Sequence, residues 1–189
     1  MASSEIETRL QQAWLARGPL AVALLPLSLV FGALTAVRRW LYRCGMLRVQ
    51  RIDVPVLVVG NLVAGGAGKT PAVLAVVALL RREGWHPGIV SRGHGRKSDS
   101  VLQVERDTAA SAAGDEPLLL RLRSGVPVFV GRDRVAAARA LRRQHPQTDV
   151  VVCDDGLQHL RLARDAQVLV FDERGAGNGW LLPAGPLRE

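Results

Sequence analysis

From Val54 onward, short apolar runs alternate with longer stretches in which apolar positions recur at helical spacing. The short runs are nearly continuous and rich in β-branched residues, a pattern typical of strands buried on both faces of a sheet. Strands separated by helices of this length predict βαβ units, and therefore an α/β fold with a mostly parallel sheet and flanking helices. Ligands of such sheets bind at the carboxyl ends of the strands. The predicted strands are 54–60, 88–93, 127–131, 149–155 and 166–172, and the predicted helices are 72–84, 118–125 and 132–144.

An uncharged apolar run, residues 18–37, precedes this pattern and is flanked by Arg17 and Arg38. A helix needs about 20 residues to cross roughly 30 Å of hydrocarbon, and the run has that length. It would span a membrane, or lie in the headgroup layer with Trp40 at the interface. The other interpretation is a buried hairpin of two short helices broken at Pro26. We predict a hydrophobic, helical, membrane-associating N-terminal region over residues 1–50, followed by one α/β domain over residues 51–189.

Composition is that of a folded protein, with 48% hydrophobic and 22% charged residues. The formal net charge of +8 comes almost entirely from arginine, because Lys69 and Lys97 are the only lysines. The arginines are scattered and aromatic residues make up only 4% of the chain, which argues against a nucleic-acid partner. Anionic phosphate ligands or an anionic membrane surface explain the charge better, alongside an ordinary arginine-rich surface. Cys44 and Cys153 have no C-x-x-C spacing, so neither a disulfide framework nor a zinc site is expected.

Candidate chemistry begins in the glycine-rich loop, residues 60–70, which reads "GNLVAGGAGKT" between a predicted buried strand and a helix. Such a loop places backbone N–H groups and a helix N-terminus against phosphates, as in P-loop NTPases. Val63 stands where the usual G-x-x-x-x-G-K-[ST] pattern has its first glycine. The alternative is a solvent-exposed turn rich in glycine. The predicted ATP-binding residues are Val63, Ala64, Gly65, Gly66, Ala67, Gly68, Lys69 and Thr70, with Lys69 at the β- and γ-phosphates and the Thr70 hydroxyl on Mg²⁺.

Two pairs of carboxylates complete the candidate site. Asp154 and Asp155 emerge from a buried strand, where they would hold the metal, although two such aspartates are also common in turns and helix caps. Asp115 and Glu116 come just before the helix predicted over residues 118–125. They would supply a base for a hydroxyl and a further metal ligand, or would only complement the helix dipole.

Five motifs in order, "GNLVAGGAGKTP", "SRGHGR", "GDEP", "DDGLQH" and "LLPAGPLRE", resemble the tetraacyldisaccharide 4'-kinases, the lipid A 4'-kinases of Gram-negative bacteria. The resemblance runs from about residue 51 to residue 189, and the hydrophobic N-terminus is similar as well. The loop of that family lacks the opening glycine, so Val63 fits it. His94 stands where the family more often has tyrosine.

The resemblance implies transfer of the γ-phosphate of ATP to the 4'-hydroxyl of a tetraacyldisaccharide 1-phosphate, with Mg²⁺, at the cytoplasmic face of the bacterial inner membrane. It implies no obligate protein partner. Lys69 would serve the phosphates, and Asp115 would be the general base. His159 and Glu189 would lie near the active site. Thr70, Glu116, Asp154 and Asp155 would contribute to Mg²⁺ binding.

Members of the family usually continue past "GPLRE" into a further lobe, which contains a histidine thought to assist the base. This chain ends at Glu189, so we expect it to bind nucleotide poorly by itself and to transfer phosphate slowly or not at all. Two other functions stay open on the residues alone. One is a membrane-attached P-loop NTPase switch that has no lipid acceptor, and the other is a soluble kinase for a small metabolite whose apolar segment packs as core.

Overall fold

The apolar runs form a six-stranded sheet flanked by helices in the computed structural model, which describes residues 14–65, 68–93, 95–96 and 98–189. The predicted α/β class with a mostly parallel sheet is confirmed. The strands are β1 (Val56–Gly60), β2 (Pro87–Ser91), β3 (Leu102–Val104), β4 (Val128–Val130), β5 (Val150–Asp154) and β6 (Ala166–Leu169), and the helices are α1 (Pro19–Ala23), α2 (Leu25–Arg43), α3 (Lys69–Arg82), α4 (Ala110–Ala113), α5 (Asp115–Ser124) and α6 (Arg134–Gln144).

The strand order is β3-β4-β2-β5-β1-β6, and only the pairing of β3 with β4 is antiparallel. The central strands β2, β4 and β5 are buried along their whole length, which explains their continuous apolar sequences. Val59 of β1 lies beside Asp154 of β5 in the parallel register. The carboxyl ends of these two strands are therefore neighbours, and the segments that follow them leave the sheet at the same edge.

Helices α3 and α5 contribute Val73, Val77 and Leu120 to the core, where they pack with sheet residues such as Val59 and Ile89. All five of these side chains are inaccessible to solvent or nearly so. Helix packing against the sheet holds the first residues of α3 and α5 in place, and the candidate phosphate and metal residues stand there.

The sequence pattern does not predict two short elements, β3 and α4. Strand β3 and helix α4 have three and four residues, too few to show a period of 2 or 3.6. Helix α6 begins at Arg134 and not at Arg132, because the Asp133 carboxylate accepts hydrogen bonds from Val135 N (2.9 Å) and Ala136 N (3.3 Å) and so caps the helix.

The chain divides into two units by its internal contacts. The first, here the split unit, consists of the described residues within Met1–Leu47, Asn61–Ala67 and Phe171–Glu189. The second, the sheet unit, consists of those within Arg48–Gly60 and Gly68–Val170. The predicted boundary at residue 50 stays a prediction.

In the split unit, α2 runs through Pro26 without a break, because a proline in the first turn of a helix leaves no hydrogen bond unmade. The hairpin broken at Pro26 is therefore not formed, and the short interruption between α1 and α2 falls at Leu24. Ser28 Oγ donates to Leu181 O and accepts from Ala184 N, both at 2.9 Å. These contacts fix one face of α2 on the segment before Glu189.

Another face of α2 is exposed. Leu27, Leu29, Leu34 and Trp40 are each more than half accessible to solvent, and Leu29 reaches 72%. Within the part of the chain that the structure describes, no helix combines the length and apolar character that a membrane crossing requires.

Candidate active site

The candidate site of the sheet unit is built where β1 and β5 end. A Cβ atom on Gly60 would lie 2.7 Å from Leu157 Cγ, and one on Gly156 would lie 2.6 Å from Cys153 Sγ. A larger residue at either position would collide with these side chains, so glycine is needed at both. The two glycines therefore bring the start of the glycine-rich loop and the "DDG" turn together at one edge of the sheet.

Lys69 opens α3 at this edge, after Gly68 in the left-handed conformation (φ 65°). The Lys69 ammonium lies 3.6 Å from Asp155 Oδ1, and its side chain is only 11% exposed. Largely shielded from water, the lysine holds its positive charge at the N-terminus of a helix, where an anion is already favoured.

Thr70 and Glu116 join the helices that carry them. Thr70 Oγ1 donates a hydrogen bond of 2.5 Å to Glu116 Oε1, which links the first turn of α3 to the first turn of α5. A hydroxyl and a carboxylate predicted as metal ligands are thus in direct contact, although 46 residues separate them in sequence.

Asp154 is completely buried at the end of β5. Its Oδ2 accepts a hydrogen bond of 2.9 Å from Ser91 Oγ, while Oδ1 has no hydrogen-bond partner within the described residues. Burial raises the pKa of Asp154 to about 6, and the nearby charge of Glu116 acts in the same direction. An inaccessible carboxylate with one oxygen lacking a partner is stabilised by a cation, so this position favours a metal ion.

Asp155 is the one non-glycine residue with positive φ (51°) among the described residues. Its backbone N–H donates to Val59 O (2.9 Å), and its carbonyl accepts a 3.3 Å hydrogen bond from Arg134 Nη2. Aspartate tolerates the left-handed conformation better than most residues, but the conformation still costs free energy. It turns the chain so that the Asp155 carboxylate meets Lys69.

Asp115 and Glu116 are adjacent but differently placed. Glu116 is half-buried against Thr70, whereas Asp115 is exposed at the start of α5 and has no hydrogen bond or ion pair within the described part of the chain. The helix N-terminus favours a negative charge at both positions. The arrangement suits one carboxylate for the metal and the other for an incoming hydroxyl.

The first half of the glycine-rich loop belongs to the split unit, where the "GPLRE" segment holds it. Ala64 N donates to Pro186 O (2.8 Å), Arg188 N donates to Leu62 O (2.8 Å), and Val63 forms a β-bridge with Leu187. Val63 is 1% exposed, which gives a physical reason for valine at this position: its side chain is part of the core. Gly66 and Ala67, and also His94, lie outside the described residues.

Two residues absent from the sequence prediction shape this half of the loop. Asn61 is buried, and its Nδ2 donates to Val63 O (2.7 Å) and Gly65 O (3.1 Å). Arg174 lies over Gly65, since a Cβ there would be 3.3 Å from Arg174 Nη2, and Asp172 holds the guanidinium. Asn61 directly follows the buried strand β1, and a polar residue at that position could have been predicted to belong to the site. Arg174, one of many arginines, offered no such signal.

His159 and Glu189 have less defined places. His159 lies in the turn after β5 in the sheet unit, where its backbone N–H donates to Gly156 O (3.0 Å). Glu189 belongs to the split unit and forms an ion pair of 3.6 Å with Arg39 of α2. The catalytic roles of both residues stay predictions.

The donor set fits Mg²⁺ bound together with phosphates. Among the described residues, no three histidine, cysteine, aspartate or glutamate side chains form a group that would hold a metal by itself. Mg²⁺ does not require such a group, since it keeps several waters and usually binds one or two carboxylates plus substrate phosphates. The buried Oδ1 of Asp154 and the hydroxyl of Thr70 are ligands of the right chemistry.

The chain is similar to proteins of one known family. The profile of the family described as "Tetraacyldisaccharide-1-P 4'-kinase" matches residues 20–189. A tetraacyldisaccharide 4'-kinase of Methylibium petroleiphilum is 63% identical over 97% of the chain, and one of Leptothrix cholodnii is 60% identical over 99%. The matched regions cover 51% and 54% of those proteins, so the chain spans about half of their length.

The crystal structure described as the "apo" form of LpxK from Aquifex aeolicus in complex with ATP has the same fold. It superposes with a TM-score of 0.81 at 36% sequence identity, over 90% of this chain and 54% of the other. The similarity therefore extends to most of the described fold.

Proposed function

Because the chain belongs to the tetraacyldisaccharide 4'-kinase family, we propose that it carries the ATP-binding part of an enzyme that transfers the γ-phosphate of ATP to the 4'-hydroxyl of a tetraacyldisaccharide 1-phosphate. One observation supports this most. The lysine, the hydroxyl and the acidic residues that phosphoryl transfer needs meet at one edge of the sheet, through the contacts of Lys69 with Asp155 and of Thr70 with Glu116.

In this proposal Lys69 binds the β- and γ-phosphate oxygens of ATP. Its ammonium then exchanges part of its contact with Asp155 for the phosphates, which carry more negative charge. The low exposure of the side chain strengthens that attraction, because less water screens it. Lys69 thereby orients the terminal phosphate and stabilises the charge that develops on it.

Thr70, Glu116, Asp154 and Asp155 would hold Mg²⁺ beside the phosphates. When bound, the ion neutralises charge on the phosphate oxygens during transfer. Thr70 and Glu116 are already in contact, and Ser91 orients Asp154, so these residues need little rearrangement. A cation bound there would lower the raised pKa of Asp154, because it would stabilise the charged carboxylate.

Asp115 would act as the general base. The oxygen of the acceptor hydroxyl attacks the γ-phosphorus, the bond to the β,γ-bridging oxygen breaks, and its electron pair leaves with ADP. The hydroxyl proton passes to the Asp115 carboxylate, which is exposed and so open to an acceptor.

The exposed face of α2, with arginines at the end of the helix, supports binding to the surface of an anionic membrane. We propose that the protein acts at the cytoplasmic face of the inner membrane, where a lipid acceptor and cytoplasmic ATP would meet.

The test uses the longest protein that contains this sequence, γ-labelled ATP, Mg²⁺ and the detergent-dispersed disaccharide monophosphate. Label is expected in the lipid. Asp115→Ala should lower transfer at least 100-fold and leave ATP binding unchanged, because a general base contributes about 10²–10⁴-fold. Asp107→Ala, at an exposed aspartate of the same unit, is the matched control. Label released only as free phosphate would favour the NTPase switch instead.

A further inference from the structure

A second basic site lies in the sheet unit, at the end of the sheet away from the carboxylates. A cavity of about 420 Å³ is lined by Arg51, Ile52, Asp53, Arg139, Arg142 and Arg143. The first three precede β1, and the others lie on the second half of α6, so the cavity is at the amino ends of the strands. Its volume is within the usual range for small-molecule sites.

Two of the four arginines are fixed in place. Arg142 donates to both oxygens of Asp53 (2.8 to 3.3 Å) and also to Pro146 O and Thr148 O. Arg51 pairs with Asp165 at 2.6 Å, and Asp165 in turn accepts from Val56 N. The walls of the cavity are thus organised by contacts within the protein.

The other two arginines lack a compensating charge. Arg139 and Arg143 make no hydrogen bond or ion pair within the described residues, and both are exposed. They are four positions apart on α6, so their side chains lie on the same face and repel each other. Arg142 adds a third positive charge to that face, and its partner Asp53 neutralises one charge only.

We propose that this cavity binds a phosphate-bearing anion. Two guanidinium groups without partners match the charge of a phosphate monoester, about −1.5 to −2, and their planar donor forks match its oxygens. The anion is either free phosphate or the headgroup of an anionic lipid, because both present the same chemistry. The site is separate from the nucleotide site and does not depend on the proposed kinase activity.

The simpler explanation is that arginines at the end of α6 only complement the helix dipole. Helices α3 and α5 also end in arginines, among them Arg82 and Arg123, which are exposed and line no described cavity. The double variant Arg82→Gln/Arg123→Gln is therefore a matched control: it removes the same charge from the same unit and from equivalent helix ends.

The experiment follows the Nε–Hε signals of arginine by NMR in the ¹⁵N-labelled chain. Inorganic phosphate and dihexanoyl phosphatidic acid, the latter below its micelle concentration, are titrated separately, with dihexanoyl phosphatidylcholine as the zwitterionic comparison. The Arg139 and Arg143 signals are expected to shift with at least one anionic probe. Arg139→Gln/Arg143→Gln should weaken binding at least tenfold, as measured on the Arg142 signal, while the control variant binds like the unchanged chain.

Stronger binding of phosphatidic acid would assign the site to a lipid headgroup, and equal or stronger binding of inorganic phosphate would assign it to the free anion. The proposal is overturned if neither probe shifts these signals. It is also overturned if the control variant loses as much affinity as the cavity variant, because charge alone would then explain the binding.

Discussion

At the scale of single residues, the buried Asp154 carboxyl makes the stability of the fold depend on pH. Its pKa rises from 3.8 to about 6 on folding, so the folded chain holds a proton that the unfolded chain releases. The corresponding stability is present below about pH 4 and is lost as the pH rises through 6. A difference of about 2 pKa units corresponds to about 3 kcal/mol.

Asp154→Asn removes this titration and leaves a neutral side chain of similar shape. We expect the metal-free variant to be more stable than the wild type at pH 8, by one to a few kcal/mol, and about equal to it at pH 4. Urea denaturation at the two pH values measures this. An equal difference at both would show that the Asp154 carboxyl does not titrate in this range.

Val63 illustrates what a motif pattern misses. The pattern treats the residue as a missing glycine, whereas the structure shows a buried side chain bridged to Leu187. Val63→Gly restores the usual spacing but removes buried apolar atoms and frees the backbone, so we expect a loss of about 2–4 kcal/mol. Val63→Ala should lose less, and chemical denaturation of both variants checks the order. If Val63→Gly were as stable as the wild type, the side chain at position 63 would contribute nothing to stability.

At the scale of elements, α2 has two faces with different roles. Ser28→Ala removes a buried hydroxyl that serves both Leu181 and Ala184, and should cost about 1–3 kcal/mol of stability. Leu29→Ser/Leu34→Ser changes only exposed positions and should stay within about 0.5 kcal/mol per site.

The same pair of variants tests the membrane proposal. Leu29→Ser/Leu34→Ser should weaken sedimentation with vesicles that contain anionic phospholipid, because less apolar surface enters the headgroup layer. Ser28→Ala, assayed below its unfolding temperature, should bind vesicles as the wild type does. Unchanged sedimentation of the double variant would contradict membrane binding through this face.

The longer elements were predictable because burial on both faces leaves a continuous apolar run, as in Val150–Asp154. The contacts between residues of the candidate site were less predictable from the sequence. The sequence indicates Thr70 and Glu116 separately, but their hydrogen bond depends on how α3 and α5 pack. Ser91 is the last residue of β2, a strand that the sequence predicts from its apolar residues alone. The hydrogen bond from Ser91 to Asp154 requires β2 and β5 to be adjacent in the sheet, and the order of the strands along the chain does not reveal that adjacency.

At the scale of the whole molecule, the chain spans about half of its relatives' length. We expect a protein of these 189 residues alone to transfer phosphate more slowly than the whole Methylibium relative, because the match covers only 51% of that protein. Single-turnover transfer at saturating ATP and lipid measures the comparison. Equal rates would show that these residues contain all that catalysis requires.

The hydrogen bonds between the glycine-rich loop and Pro186–Arg188 can form only after the strands of the sheet have been synthesised. The ribosome releases every strand of the sheet by Leu169, before the partners of Ala64 and Leu62 have been made. A nascent or prematurely terminated chain that lacks residues 186–188 therefore has the strands but not the hydrogen-bond partners of the glycine-rich loop. We therefore expect the loop to reach its nucleotide-binding conformation only at the end of synthesis, when these residues, far from the loop in sequence, have been made.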